Sequence, residues 1–343
     1  MTPIELHPRG QLSEAVLDRL QHGADHGPHG EDLLRVTTQQ VAASSDLLRD
    51  DDVQFALFLL QASHYGSLEG LDPHLEWDPL LITVRRHIED AFEAQLRHEV
   101  RVPELPAPNS AAVAKVLFEM TAPEAGPSLA RYVAKQASRE QAEELLKQRS
   151  IYTLREADAH SWAIPRLRGR AKAALVEIQS DEYGGGRPER LHAEIFAETL
   201  RSAGLDDRYG AYADAVPAIT LASFTMMTMF GLNRRLVGAS VGHLAAFEMT
   251  SSIPSRFIAD GLRRLGYGER TTAYFDEHVE ADAVHEQIAA HDLAGSLAED
   301  RPDLLPDIIF GAAACLTVDG WAGSHLLETW ERGASSLRER VLA

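Results

Sequence analysis

Among 343 residues there is one cysteine, Cys315. That scarcity excludes an internal disulfide, a zinc ribbon and a cysteine-held iron–sulfur cluster, each of which needs more than one thiol. Cys315 lies in the apolar run Gly311-Ala-Ala-Ala-Cys-Leu-Thr-Val318, the setting of a buried structural thiol. Positive charge is also short: 33 Lys and Arg stand against 52 Asp and Glu, a net charge of −19. A field of that sign repels nucleic-acid phosphates and anionic lipid surfaces, so neither nucleic acid nor membrane is expected as a partner. The first residues, MTPIELHPRG, lack a basic stretch followed by an apolar one, so no secretory signal is visible and a cytoplasmic location is expected. The uncharged run Ala215 to Asn233 approaches the length of a membrane span, but Pro217, three threonines and Ser223 fit a helix buried inside a bundle instead.

Alternating β-branched runs are missing, whereas helical spacing is everywhere. Ser13–Leu20, Asp51–Ser67, Leu80–Glu99, Ser128–Gln148, Pro188–Ala203, Arg234–Thr250, Thr271–His291 and Asp303–Leu316 all place apolar residues three and four apart. The sequence Ser252-Ile-Pro254-Ser255 has the form of a further helix start, ended by Gly266-Tyr-Gly268. The fold class expected is all-α. Three prolines within Val100–Asn109 cannot continue a helix and read as an extended connector. It separates an N-terminal helical region, 1–102, from a larger helical domain, 110–343. The tract His22-Gly-Ala-Asp-His26-Gly-Pro-His29 reads as a solvated loop without preorganised metal geometry. Gly184-Gly-Gly186 follows acidic residues instead of a strand, so it is not a phosphate cradle.

Chemistry concentrates later in the chain. In His278-Val-Glu-Ala-Asp282-Ala-Val-His285 the two histidines and Asp282 fall within a roughly 60° arc of a helix. Such donors suit iron, manganese or zinc, although a polar helix face has the same pattern. Glu248 continues the apolar stripe Val241, Leu244, Ala245, and a buried carboxylate needs a partner: a metal, or an arginine such as Arg234 or Arg235. His243 lies off that stripe and reads as ordinary. Around the Gly184–Gly186 break, Glu182 closes one helix and His192 opens the next, an arrangement that can aim both at one point. The pair Glu156 and His160 is either a local hydrogen bond or half of a site. Met226, Met227, Phe230 and Phe247 are pocket or core residues, core being the commoner use of such spacing.

Several carboxylates and histidines on separate helices form the donor list of a carboxylate-bridged di-metal centre. The paired Glu-x-x-His of ferritin-like proteins is not the pattern here. The arrangement resembles the haem-oxygenase-like di-iron oxidases and oxygenases. The resemblance implies a haem-oxygenase-like helical bundle preceded by a smaller helical domain, and Glu156, His192, Glu248, His278, Asp282 and His285 as ligands of two iron ions. Glu182 matches an additional carboxylate of the N-oxygenating branch, and there it takes a catalytic role beside its metal contact. O2 is then the cosubstrate and a small amine, guanidine, amino acid or amino-heterocycle the substrate, with an external electron donor. Desaturation, decarboxylation or C–C cleavage of an amino or fatty acid is the alternative within the family. A metal- or partner-binding helical protein without turnover is the alternative outside it. The N-terminal helices, which show no candidate site of their own, are expected to form a homodimer.

Overall fold

In the computed structural model the described residues are 4–23, 30–123 and 126–339, without the side chains of 280–284. They form α1 (Gln11–His22), α2 (Gly30–Ala43), α3 (Asp51–Ala62), α4 (Pro79–Glu99), α5 (Ser110–Met120), α6 (Leu129–Lys135), α7 (Arg139–Thr153), α8 (Asp158–Ser161) and α9 (Gly169–Glu182). After these come α10 (His192–Ser202), α11 (Ala218–Leu232), α12 (Val237–Arg264), α13 (Glu269–Gln287), α14 (Ser296–Asp300) and α15 (Leu305–Glu331). No strand occurs among the described residues. The histidine tract falls mostly on 24–29, outside them.

Local chemistry sets many of the boundaries. The Asp50 carboxylate accepts from the amides of Asp52 and Val53 at the start of α3, and Asp78 does the same for Leu80 and Leu81 at the start of α4, where Pro79 takes the first position. The expected single helix over 128–148 is two. Ser138 and Gln141 bond each other's backbone amides in a capping box that begins α7, while the amides of Gln136 and Ala137 both turn back to the Tyr132 carbonyl. The opposite happens at Pro254, where no new helix starts: α12 runs through it to Arg264. Packing along α13 and α15 holds the helix together where the local signal alone would end it.

Three buried clusters make the core. One joins α1, α3 and α4 to α11 and α15, so residues on both sides of the proline-rich connector share it. A second lies among α5, α9, α12 and α15, closed by the π-helical segment Ile288–Gly295. The third lies among α6, α7, α10, α12, α13 and the end of α15. The run 215–233 becomes α11, buried around most of its circumference. Residues 302–331, which contain α15, are long and apolar enough to cross a membrane by length and composition, and that helix contributes to all three clusters.

Candidate metal centre

Four helices and one turn bring the candidate donors together. Glu156 sits in the turn after α7, and Ala157 beside it adopts φ 72°, a left-handed conformation costing a non-glycine residue roughly 1–2 kcal/mol. The reversal is held by Gln179 of α9, whose Nε2 donates to the Ala157 carbonyl at 2.7 Å. Glu182 is the last residue of α9 and His192 the first of α10, with the glycine break between them. At Gly184 an added Cβ would lie 2.5 Å from the Arg190 carbonyl carbon, so the turn between the two needs glycine there. Glu248 comes from the middle of α12, and His278 and His285 from α13.

Donor atoms of Glu156, Glu182, His192 and His278 lie within 4.8 Å of one another. Those of Glu182, Glu248 and His285 form a second group at the same spacing, so Glu182 belongs to both. All six residues are between 1% and 7% exposed, so the donors are buried. Asp282 lies among 280–284, whose side chains are outside the described residues.

The orientation of the His278 ring follows from its partner. Its Nδ1 is 2.8 Å from the Tyr274 carbonyl, which can only accept, so Nδ1 carries the proton. Nε2 is thus the ring atom that faces Glu156, whose Oε1 is 3.5 Å away. The Tyr274 hydroxyl donates to the same Oε1 at 2.6 Å, whereas Glu156 Oε2 is buried with no hydrogen-bond partner among the described residues. Burial raises the Glu156 carboxyl pKa, but His278, His192 and the Tyr274 hydroxyl outweigh it and hold it below the ordinary value. His192 Nδ1 lies 2.8 Å from Glu182 Oε2. His285 bridges two acids, Nδ1 at 3.1 Å from Glu248 and Nε2 at 2.9 Å from Asp181. Burial lowers its pKa, yet those two acids and Glu182 raise it to about 10. Burial first, then the charges of Glu156, Tyr274, Glu182 and Glu248, keep the Tyr152 hydroxyl protonated far above neutrality.

The pattern of carboxylates and imidazoles, with an orphaned buried carboxylate oxygen, fits a pair of iron ions: the donors are hard or borderline, and one carboxylate is common to both groups. Two alternatives from the sequence are resolved by geometry. Glu248 pairs with His285, while Arg235 pairs with Glu93 at 2.5 Å. His160 turns from Glu156 to His243, its Nε2 lying 3.1 Å from the His243 Nδ1, so neither histidine belongs to the acidic cluster. Sequence reasoning passed over Tyr274, Tyr152 and Asp181. Tyr274 carried a usable signal, since it lies one helical turn before His278; the other two depend on contacts between distant segments.

Nitrosourea synthase from Streptomyces achromogenes subsp. streptozoticus is 30% identical over 145 residues, 42% of this chain and 31% of that protein, so the chain spans about a third of the length of this relative. The family of iron-containing redox enzymes matches residues 143–320, just over half of the chain and the span within which the candidate donors lie. An all-α haem-oxygenase-like chain that gathers glutamates and histidines at one buried point thus belongs to the iron-containing redox enzyme family.

Proposed function

We propose that the chain is an O2-dependent, non-haem di-iron oxygenase that N-oxygenates a small amine, guanidine, amino acid or amino-heterocycle in secondary metabolism, drawing electrons from an external donor. The observation that carries this reading is the membership of Glu182 in both donor groups. A carboxylate placed there can span two cations, and it is the same residue whose position matches the additional acid of N-oxygenating relatives. Glu156, Glu182, Glu248 and Asp282 bring four negative charges, balancing two ferrous ions. Paired iron, when bound, supplies the two electrons that activate dioxygen.

The chain's own groups have separate tasks. The Tyr274 carbonyl fixes the His278 ring, and its hydroxyl holds one oxygen of Glu156, so the other is left for a cation. Glu248 and Asp181 hold a proton on His285 that must leave when its nitrogen takes a metal. The buried Phe196 ring, 5.0 Å from Tyr274, and the partly buried Phe247 ring, 4.9 Å from Tyr152, help keep bulk water from the acids. Desaturation or C–C cleavage is the second reading, favoured if Glu182 proves dispensable.

The test is anaerobic ferrous titration of the full chain, then oxygen and mass-spectrometric screening of candidate amines. About two ferrous ions per chain and an amine gaining one oxygen atom are expected. Glu248→Ala separates this from a helical protein without turnover. A ligand's loss removes iron and oxygen uptake, whereas half of a plain buried ion pair costs roughly 3–5 kcal/mol and leaves the metal content unchanged.

A further inference from the structure

A cavity of about 810 Å³ opens beside the candidate metal centre, and Glu156, His278 and Tyr274 line one part of it. Apart from His278, Arg149 of α7 is the single cationic side chain among the described residues lining it. Arg149 has no ion pair or hydrogen bond among the described residues, and its Nε is buried without a partner. Its one specific contact is the face of Phe275, 5.6 Å from the guanidinium carbon. Arg149 also lines a smaller adjoining cavity of about 210 Å³, so it stands at the wall common to both.

This is unusual in a chain of net charge −19. Most of its arginines close to a carboxylate, as Arg9 does to Asp51 and Arg97 to Asp307. Asp319 on the same wall feels the Arg149 charge, yet the two make no ion pair or hydrogen bond, and Asp319 instead accepts from Ser223 Oγ at 2.5 Å and from Cys315 Sγ at 3.7 Å. A partly buried guanidinium with no carboxylate hydrogen-bonded to it among the described residues is an unfilled fork of donors, and a carboxylate fits that fork with two parallel charge-assisted hydrogen bonds.

We infer that Arg149 is the specificity-determining anion site of the substrate cavity, receiving the carboxylate of a small carboxylate-bearing substrate whose other end reaches Glu156 and His278. The inference rests on the reading of that centre as the place of reaction, and it narrows the substrate class: the molecule to be oxidised carries a free carboxylate. An acid must also overcome the repulsion of the surrounding negative field, which makes one well-placed cation decisive for selection. Neutral amines and amides lack the group that the fork requires.

The experiment is ligand-observed saturation-transfer NMR on the full, metal-free chain. The probes are the twenty protein amino acids, straight-chain monocarboxylates from butyrate to dodecanoate, and the primary amide of each. At least one acid should bind, and its amide at least about tenfold more weakly. Arg149→Gln should weaken that acid by a similar factor, and Arg149→Lys should recover part of it. The lysine variant keeps the test open should the glutamine variant not fold. Three outcomes overturn the inference: no acid binds, amide and acid bind alike, or Arg149→Gln binds the acid as the parent does. Ferrous uptake measured on the same preparations separates the two ideas. Acid binding through Arg149 without iron sinks the oxygenase reading alone, and iron uptake without acid binding sinks this one alone.

Discussion

At the scale of single residues, Glu182 carries the most weight because it is the donor common to both groups. Replacing it by alanine leaves Glu156, His192 and His278 for one cation but only Glu248 and His285, of the described donors, for the other. Glu182→Ala should therefore lower ferrous binding from about two ions toward about one per chain and abolish N-oxygenated product. Titration and product analysis on one preparation check this, and a variant with the parent's iron content and product would reduce Glu182 to a buried helix end. A second residue-scale expectation concerns His160 and His243, hydrogen-bonded to each other away from the acids. Burial lowers His160 to about 4 and, with His160 adding its charge, His243 well below its ordinary value. Below the ordinary histidine pKa of about 6.5, the unfolded chain takes up protons that the folded one refuses, so stability is full above that pH and is lost toward pH 4. His160 alone should account for roughly 3 kcal/mol of that loss. Urea unfolding at pH 7 and pH 4.5 measures it, and a His160→Leu/His243→Leu double variant should show a shallower acid limb. Parallel losses in variant and parent would clear the pair of responsibility.

Among elements, the crossing of α12 and α15 positions Glu248. An added Cβ on Gly242 would run into the carbonyl of Ile308, and one on Gly311 into the carbonyl of Ala239. The two backbones thus touch at a pair of glycines, and a methyl group at either forces the helices apart. Gly242→Ala should destabilise the chain by roughly 1–3 kcal/mol. Because Glu248 lies less than two turns further along α12, the same change should also weaken ferrous binding. Val16→Ala in the N-terminal core is the control, since it leaves a cavity far from the site. If both variants keep the parent's iron affinity, the glycine crossing sets stability but not the position of the carboxylate. The π-helical segment Ile288–Gly295 follows α13 directly and packs on α5 and α9, tying the helix that carries His278 and His285 to the helix that ends in Glu182. Wide helical turns of this kind are common beside functional sites.

For the whole molecule, the question is how the N-terminal helices relate to the rest. Phe55 and Phe58 of α3 lie in the same buried cluster as Ile219 and Phe224 of α11, and Phe58 meets Phe224 edge-on at 6.0 Å. The polar layer is shared too: Gln54 accepts from Thr225 Oγ1 at 2.7 Å, and Gln61 Nε2 donates to the Thr225 carbonyl at 3.1 Å. Deleting residues 1–102 bares this face of α11, so the remaining chain should aggregate or bind a hydrophobic dye strongly, as size exclusion and dye fluorescence will register. A compact, iron-binding 103–343 fragment would show instead that the region is a separable unit, in keeping with a dimerising role. The sedimentation behaviour of the full chain tests the homodimer directly.

Much of this was legible in the residues themselves. Helical spacing without strand alternation is a local property of the chain, and it announced an all-α fold. The spacing of His278 and His285 is equally local, because a helix converts fixed separations into one face. Glu248 stood out since a charge inside an apolar stripe is costly wherever the stripe is buried. Other features depended on contacts that sequence distance hides. Pro254 reads as a boundary, but packing along α13 and α15 carries α12 through it. Glu156 and His160 are a plausible pair at helical spacing, yet the left-handed turn at Ala157 sends His160 to His243, some eighty residues later in the chain. The meeting of Glu182 with both donor groups, the Tyr274 hydroxyl on Glu156 and an unpaired Arg149 in the cavity wall are likewise tertiary facts. Periodicity dictates which face of a helix is apolar or polar; which faces are opposed, and at what distance, is decided only when the long-range contacts of the packed core form.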